Sequence, residues 1–130
     1  MNRPDILIIE DWESQRYLLK DFLIREGYRV GEAENGIKAI QCVRSEHFDV
    51  VLLDYKMPGM DGMEVLKEIK KIKPEMNIVI ISAYGTIERA VEAMEAGAFY
   101  YIIKPVDLDK LLILLNRVSQ FMFEERKKIT

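Results

Sequence analysis

Acidic, hydroxyl and lysine side chains follow four short apolar runs of this sequence, at the point where each run ends. Glu10 and Asp11 follow the first run, Asp54 the second, Ser82 the third and Lys104 the fourth. In an open parallel sheet the carboxyl ends of the strands lie along one edge, and ligands bind there. If the runs are strands of such a sheet, three carboxylates, one hydroxyl and one ammonium group converge on a single pocket.

This combination of groups suits phosphoryl chemistry. Three carboxylates held close together repel one another, and a hard divalent cation such as Mg²⁺ relieves that repulsion. A carboxylate can also act as a nucleophile and form an aspartyl phosphate. A lysine and the metal then neutralise the charge of the phosphoryl group, and a serine hydroxyl donates a hydrogen bond to it. The set predicts a Mg²⁺-dependent site that accepts a phosphoryl group.

The elements that position these residues follow from hydrophobic periodicity. Four β-branched-rich runs without alternation are typical of strands buried on both faces of a parallel sheet: Ile6–Ile9, Val50–Leu53, Ile78–Ile81 and Ile102–Ile103 with the aromatics before it. The mixed polarity of Tyr28–Ala33 predicts an edge strand. Helical patterns lie between the runs, so strand and helix alternate five times, which implies right-handed crossovers and helices on both faces.

Two of the helical patterns are clear. Between Asp61 and Lys73, one face carries Val65, Ile69 and Ile72 and the other carries lysines. Further along, Ile87, Ala90, Val91 and Met94 recur at i, i+3, i+4 and i+7, which is typical of the buried face of an amphipathic helix.

Helix ends are marked as well. Gly27 and Gly97 stand where C-terminal caps are expected. Asp107 is placed to cap the last helix, with Val106 and Leu111 as a hydrophobic staple.

Length and composition restrict the function classes. The 130 residues suit one compact domain. A net charge of −3 argues against a nucleic-acid-binding domain, and one cysteine excludes an internal disulfide framework. The apolar run after the N-terminus is too short for a secretory signal or a membrane span, so we expect a cytoplasmic protein.

The residues described so far resemble the receiver domain of response regulators in two-component signalling, over Ile6–Val118. The matching motifs are Ile8-Ile9-Glu10-Asp11, Leu53-Asp54-Tyr55-Lys56-Met57-Pro58-Gly59-Met60-Asp61-Gly62, Ser82-Ala83 and Lys104-Pro105. The stretch from Ser82 to Ala98 further resembles receivers of NtrC-type transcriptional activators. The resemblance implies a doubly wound α/β fold, a CheY-like (flavodoxin-like) three-layer sandwich with a five-stranded parallel sheet in the order 2-1-3-4-5.

The resemblance also implies a metal site and a phosphoacceptor. Asp54 is expected to accept the phosphoryl group. Asp11 is expected to bind Mg²⁺ directly and Glu10 mainly through water. The backbone carbonyl of Lys56 is expected to complete the protein ligands together with Asp54.

Three further roles are carried over in the same way. Ser82 is expected to contact the phosphoryl group, and Lys104 to pair with it. Tyr101 matches an aromatic switch that turns inward when Ser82 moves toward the phosphate. The bond between Lys104 and Pro105 is expected to be cis.

The sequence departs from the family pattern at two positions. Glu10 replaces the commoner aspartate, which puts metal affinity in doubt, and Trp12 stands where a third acidic residue is usual. Trp12 either restricts access at the pocket rim or covers apolar surface. Lys56 and Tyr84 occupy variable positions that tune phosphoryl lifetime in the family.

Simpler explanations exist for single residues. Asp11 alone is a common kind of helix N-cap, and Asp61 with Gly62 suits the turn and helix start. Tyr101 can be core packing as well as a switch. His47 suits the surface, and the lysines at positions 67–73 suit a solvated helix face.

The function predicted is a signalling switch. Asp54 accepts a phosphoryl group from a sensor histidine kinase, and the surface formed by the fourth helix, fifth strand and fifth helix changes. A nucleotide- or flavin-binding enzyme is disfavoured because neither G-x-G-x-x-G nor G-x-x-x-x-G-K-[ST] occurs. An aspartate-nucleophile hydrolase is disfavoured because 130 residues leave no space for a cap. The chain is therefore expected to be a phosphoacceptor domain and not an enzyme.

The output remains open from the sequence. We expect residues 1–120 to form the receiver and residues 121–130 to extend the fifth helix or start a linker. An output domain elsewhere would control transcription; the alternatives are a stand-alone relay or chemotaxis-type regulator, or a binding-only pseudo-receiver. A homodimer seam is one interpretation of the 3-4 spacing at the end of the chain, and core packing is the other, for Leu108, Leu111, Leu115, Val118 and Met122.

Overall fold

The computed structural model describes residues 3–57, 59–83 and 85–129, so Pro58 and Tyr84 of the motifs above lie outside the described residues. Strands and helices alternate along the chain. Their bounds are β1 Ile6–Ile9, α1 Glu13–Arg25, β2 Val30–Ala33, α2 Gly36–Ser45, β3 Val50–Asp54, α3 Gly62–Ile72, β4 Asn77–Ser82, α4 Ile87–Glu95, β5 Tyr100–Ile103 and α5 Leu108–Ile129. Among these elements, no helix is long and apolar enough to cross a bilayer.

The five strands form one sheet in the order β2-β1-β3-β4-β5, and all neighbouring pairs are parallel. This confirms the predicted doubly wound fold and its strand order. The strands β1, β3 and β4 are buried along their whole length. The edge position predicted for the second strand is also confirmed, although β2 begins at Val30 rather than Tyr28.

The last strand differs from the prediction of burial on both faces. β5 is the other edge of the sheet, and Tyr100 and Ile103 at its two ends are 49% and 52% exposed. An edge strand has a neighbouring strand on one side only, so its side chains receive less cover. The hydrophobic run around Ile102 therefore predicted the strand correctly, but the prediction that both of its faces are buried was wrong.

Each buried strand packs against helices on both of its faces. Leu7 and Ile9 belong to a core with α2 and α3, whereas Ile6 and Ile8 belong to a core with α1 and α5. Successive strand side chains point to opposite faces. Because both faces are apolar, the sequence shows continuous hydrophobic runs instead of alternation.

The predicted helix signals at three positions are confirmed. Gly27 and Gly97 have φ of +94° and +103°, the left-handed conformation that glycine adopts without a steric penalty. Asp107 Oδ1 accepts the backbone N–H of Lys110 at 3.1 Å, as an N-cap does. Likewise Asp61 Oδ1 accepts the N–H of Glu64 at 3.0 Å, which confirms its interpretation as helix-start chemistry.

The apolar stripe predicted for the fourth helix is present but faces solvent. Ile87, Val91 and Met94 are 78%, 47% and 47% exposed, whereas Ala93 is completely buried. The helix contacts the sheet through small alanines, which let its backbone approach closely, and the larger side chains point away. Periodicity identifies a helix face, but the neighbouring elements decide which face is covered.

The long final helix packs on the sheet over its first three turns. Leu111, Leu115 and Val118 are completely buried in the core that α1 and α5 share, and Met122 packs partly buried against it. Core packing is therefore confirmed for Leu111, Leu115 and Val118, whereas Leu108 is exposed. A dimer seam at the end of the chain stays a prediction.

Candidate phosphoacceptor site

The carboxyl ends of the strands bring the predicted residues to one edge of the sheet. Glu10 and Asp11 follow β1, Asp54 ends β3 and Ser82 ends β4. In the register of the sheet, Asp54 lies beside Ile81, and Ser82 lies beside Ile103, the last residue of β5. Lys104 follows Ile103 directly. The convergence that the fold class predicted is therefore observed.

The ammonium group of Lys104 lies at the centre of this cluster. Its Nζ is 3.1 Å from Asp54 Oδ1 and 3.4 Å from Glu10 Oε1. It also donates a hydrogen bond to Gln15 Oε1 at 3.2 Å. Burial alone would lower the pKa of Lys104, but the hydrogen bond to Asp54 and the negative charges outweigh it and raise the pKa. The lysine therefore stays charged beside the two carboxylates. The Lys104–Pro105 bond is cis, as the resemblance implied.

Glu10 is the carboxyl group most affected by its surroundings. Burial, and next the negative charge of Asp54, raise its pKa from 4.5 to about 7, although Lys104 opposes the shift. The side chain is 8% exposed, so it loses most of its hydration. Without a cation, part of the negative charge at this site is removed by a proton.

Asp11 completes a group of three carboxylates. One oxygen each from Glu10, Asp11 and Asp54 lies within 4.8 Å of the others. Carboxylate oxygens are hard donors, and such a set fits Mg²⁺. This ion usually keeps several of its waters and binds only a few protein carboxylates. Asp11 itself is exposed, and the N-cap position of α1 is Trp12, which has no side-chain cap hydrogen bond. Capping therefore does not account for Asp11.

Two residues expected to respond to the phosphoryl group lie on β4 and β5, and Lys56, an expected metal ligand, follows β3. Ser82 is 1% exposed at the end of β4. Tyr101 on β5 is half-buried and packs against the core on the side of α2 and α3. Lys56 follows Asp54 by two residues and is exposed.

The loop after Asp54 is held by a close backbone contact. Gly62 N donates to the Tyr55 carbonyl at 2.7 Å where α3 begins. A Cβ at position 62 would lie 2.7 Å from Tyr55 Cα, a distance that side chains do not tolerate. Glycine at this position therefore lets the start of α3 approach the residue next to Asp54, and fixes the loop that carries Lys56.

Trp12 lies at the margin of this site. Its side chain is 65% exposed, so most of its surface faces water. A groove of about 610 Å³ opens between α1 and α5 beside the site. Polar groups of the site line it together with leucines on α1 and with Val106 and Leu108.

Sequence reasoning missed two residues near the site. Gln15 and Arg16 lie in the first turns of α1; Gln15 accepts from Lys104, and Arg16 donates to the Glu10 carbonyl at 2.8 Å. Arg16 also pairs with Glu32 on β2 at 3.1 Å. No motif pointed to either residue, because a helix that starts beside two acidic residues has several polar positions and the sequence does not say which one faces inward.

A second group of potential metal ligands lies at the opposite end of the sheet. Asp5, His47 and Asp49 each offer an atom within 4.8 Å of the others. Their carboxylates already have partners: Asp5 pairs with Arg29 at 3.2 Å, and Asp49 accepts both the Asp5 N–H and His47 Nε2. We interpret this group as a structural tie between β1 and β3. The His47 side chain is 70% exposed, in agreement with the predicted surface position.

Comparisons with known proteins agree with the geometry. A family model described as the response regulator receiver domain matches residues 6–116. The transcriptional regulatory protein ZraR of Klebsiella oxytoca is 46% identical over 112 residues, which make up 86% of this chain and 25% of that protein. Sporulation initiation phosphotransferase F of Bacillus subtilis is 40% identical over 111 residues, 85% of this chain and 90% of that protein.

A solved structure is also similar to this chain over most of its length. The response regulator TrrA of Thermotoga maritima, determined in complex with Mg²⁺-BeF, has a TM-score of 0.80 and 35% identity, and the match covers 88% of this chain and 97% of that one. The present chain spans about a quarter of the length of ZraR. The family model covers most of the chain, and the fold agrees with it, so the chain belongs to the response-regulator receiver domains of two-component signal transduction.

Proposed function

We propose that Asp54 accepts a phosphoryl group from a phosphohistidine of a sensor histidine kinase. The observation that carries this proposal is the contact of 3.1 Å between Lys104 Nζ and Asp54 Oδ1 at the carboxyl edge of the sheet. A carboxylate oxygen of Asp54 forms the new bond to phosphorus, the bond from phosphorus to the histidine nitrogen breaks, and that nitrogen keeps the electron pair. The Lys104 ammonium offsets negative charge on the phosphoryl oxygens.

The acidic group is the proposed metal site. Asp11, Asp54 and Glu10 would hold Mg²⁺, and the backbone carbonyl of Lys56 would complete the protein ligands. Three carboxylate oxygens within 4.8 Å of one another support this assignment. The Mg²⁺ complex of the similar protein TrrA supports it too. When bound, the ion supplies positive charge that lets the carboxylates and a phosphoryl group lie side by side.

Ser82 and Tyr101 are the proposed switch residues. The hydroxyl of Ser82 would donate to a phosphoryl oxygen, and Tyr101 would turn further into the core as Ser82 moves. The three residues lie on successive strands of the sheet: Asp54 ends β3, Ser82 ends the neighbouring strand β4, and Tyr101 lies on β5 beside β4. A displacement at Ser82 therefore reaches the edge strand through neighbouring elements, and phosphorylation shifts the population by differential contacts.

The output is proposed to be control of transcription through a domain outside these residues. The similarity to ZraR, a transcriptional regulatory protein of which this chain matches 25%, supports an attached output domain. In this arrangement residues 1–120 are the receiver and residues 121–130 lead toward the next domain. The match to 90% of sporulation initiation phosphotransferase F favours the alternative, a regulator that passes signals on as a single domain. In both cases the chain acts as a phosphoacceptor and not as an enzyme with turnover.

The test is intact-mass spectrometry after incubation with Mg²⁺ and a small phosphodonor such as acetyl phosphate. We expect one phosphoryl adduct on the wild-type chain, none on Asp54→Ala, and loss of the adduct when Mg²⁺ is chelated. Asp61→Ala is the matched control, because Asp61 is a carboxylate seven positions away that caps α3. Stoichiometric labelling of Asp54→Ala would overturn the assignment. No label on any variant would identify a binding-only pseudo-receiver.

A further inference from the structure

Gln15 connects helix α1 to the lysine of the site. It lies in the first turn of α1, half-buried, and its Oε1 accepts a hydrogen bond from Lys104 Nζ at 3.2 Å. The two residues are 89 positions apart in the sequence. Gln15 also lines the groove between α1 and α5, where the surrounding side chains are mostly apolar. Its amide is therefore a polar group among mostly apolar neighbours, and it is hydrogen-bonded to the Lys104 ammonium.

The geometry uses all three donors of the ammonium group. A lysine ammonium has three N–H groups and no acceptor. In the structure, three acceptors lie near Nζ: Asp54 Oδ1 at 3.1 Å, Gln15 Oε1 at 3.2 Å and Glu10 Oε1 at 3.4 Å. Of these three acceptors, Gln15 is the only one that cannot carry a charge.

The two charged acceptors change their partners during the proposed reaction. Asp54 becomes an acyl phosphate, and Glu10 belongs to the group of oxygens that faces the metal. The amide of Gln15 takes part in neither event, so its bond to Lys104 can persist while the other two are exchanged. An ammonium that is held by one constant partner needs less reorganisation when the phosphoryl group arrives.

We propose that Gln15 is a positioning residue for phosphoryl transfer, whose amide oxygen holds the Lys104 ammonium beside Asp54 before and after phosphorylation. This inference rests on the proposed function of Asp54. Gln15 acts through Lys104 and does not touch the reacting atoms. Its removal should therefore affect the reaction only as long as Lys104 is present.

The test combines labelling kinetics with a direct observation of Lys104. Gln15→Met keeps an unbranched side chain of similar size, suits the apolar groove and removes the amide. We expect labelling by acetyl phosphate to slow about tenfold, the usual effect of losing one hydrogen bond to a charged group. In a Lys104→Met background the same substitution should have no further effect, as a double-mutant cycle requires of two residues that act as a pair.

Nuclear magnetic resonance of carbon-13-labelled lysines supplies a readout that does not depend on phosphorylation. We expect the order parameter of Lys104 Cε to fall in Gln15→Met and to recover in Gln15→Glu, which restores an acceptor at the same reach. Gln41→Met is the matched control, since Gln41 is an exposed glutamine on α2. It should change neither measurement.

Two results would overturn the inference. One is an unchanged order parameter of Lys104 in Gln15→Met. The other is an equal slowing by Gln15→Met with and without Lys104, which would indicate a general effect on folding or donor access. If the wild-type chain takes no label at all, the proposed function fails, and the order parameter alone decides whether Gln15 holds Lys104.

Discussion

At the scale of a residue, Glu10 is the carboxyl group of the proposed metal site whose pKa its surroundings change most. The longer side chain lies buried between Asp54 and Lys104, and its Oε1 is 3.4 Å from the ammonium. Burial and the charge of Asp54 raise its pKa to about 7. A proton on Glu10 can therefore replace part of the charge compensation that a cation supplies, and the metal-free site is less strained near neutral pH than three ionised carboxylates would be.

This arrangement predicts the pH dependence of stability for the metal-free chain. The pKa of Glu10 is higher in the folded state, about 7, than its ordinary value of 4.5. The folded state then binds more protons between these values, so its stability falls as the pH rises. In a chelating buffer we expect the free energy of unfolding to drop by about 1–3 kcal/mol from about pH 5 to about pH 8. Urea titrations at several pH values measure it.

The control for this prediction is Glu10→Gln, which cannot titrate. Its stability curve should lack the contribution of Glu10 while keeping that of the other groups. Parallel curves for wild type and Glu10→Gln would contradict the raised pKa.

Asp11 is the residue whose loss should separate metal binding from folding. It is exposed and no cap hydrogen bond of α1 comes from it, so Asp11→Asn should not lower the metal-free melting temperature. Millimolar Mg²⁺ stabilises the wild-type chain if it binds only the folded state, by about 2–3 kcal/mol at a hundredfold excess over the dissociation constant. We expect thermal-shift measurements to show this rise for the wild type and little of it for Asp11→Asn. An equal rise in both would place the ion elsewhere.

At the scale of elements, the loop between β3 and α3 begins directly after Asp54 and also contacts α4. The guanidinium of Arg89 on α4 lies 4.9 Å from the ring centroid of Tyr55, the residue after Asp54. Such a cation–π contact contributes about 0.5–1 kcal/mol at an exposed site. The hydrogen bond from Gly62 N to the Tyr55 carbonyl, at the start of α3, holds the same loop. The loop is thus fixed at Tyr55 by two neighbouring helices.

Substitution of the glycine at this contact should disturb both stability and labelling. Gly62→Ala places a Cβ 2.7 Å from Tyr55 Cα, and backbone atoms must move to accept it. We expect a loss of about 2–3 kcal/mol in the free energy of unfolding and slower phosphorylation of Asp54. Gly59→Ala is the comparison: it meets no atom within 4 Å but has φ of +80°, so it should cost only about 1–2 kcal/mol. Denaturant curves that rank Gly59→Ala as the worse variant would contradict this.

At the scale of the whole molecule, one set of exposed apolar residues lies on two neighbouring elements, α4 and β5. Ile87, Val91 and Met94 on α4 and Tyr100 and Ile103 on β5 form what we call the α4–β5 surface. Further exposed apolar side chains lie on α1, α2 and α5. Exposed apolar patches of this kind commonly mark interaction sites. If the chain forms a homodimer, this surface is the place for it.

Self-association should therefore depend on the α4–β5 surface. We expect sedimentation velocity of the phosphorylated wild-type chain to show a concentration-dependent dimer and Val91→Glu to remain monomeric, since a charge at an apolar contact loses its hydration. Ile37→Glu is the control, because Ile37 is also an exposed apolar residue but lies on α2. Loss of the dimer in both variants would point to a general effect of charge.

The continuous apolar runs predicted buried parallel strands, and the fold class then predicted that the residues after these strands meet at one edge. The strand order followed from the resemblance to receiver domains. The sequence could not predict the direction of the α4 stripe, since periodicity shows a face but not its neighbour. It also missed the contact between Gln15 and Lys104. That contact depends on the rotation of α1 about its axis, which the packing of α1 on the sheet sets and no local motif records.

The exposed Trp12 has a practical consequence. It is the only tryptophan of the chain, directly follows Asp11 and is largely in contact with water. All indole fluorescence of the protein therefore originates at the rim of the acidic site. We expect an ion or a phosphoryl group that enters the site to change the electric field at that single ring. The emission of the unmodified chain should then report occupancy in real time, without a dye, a label or a coupled assay.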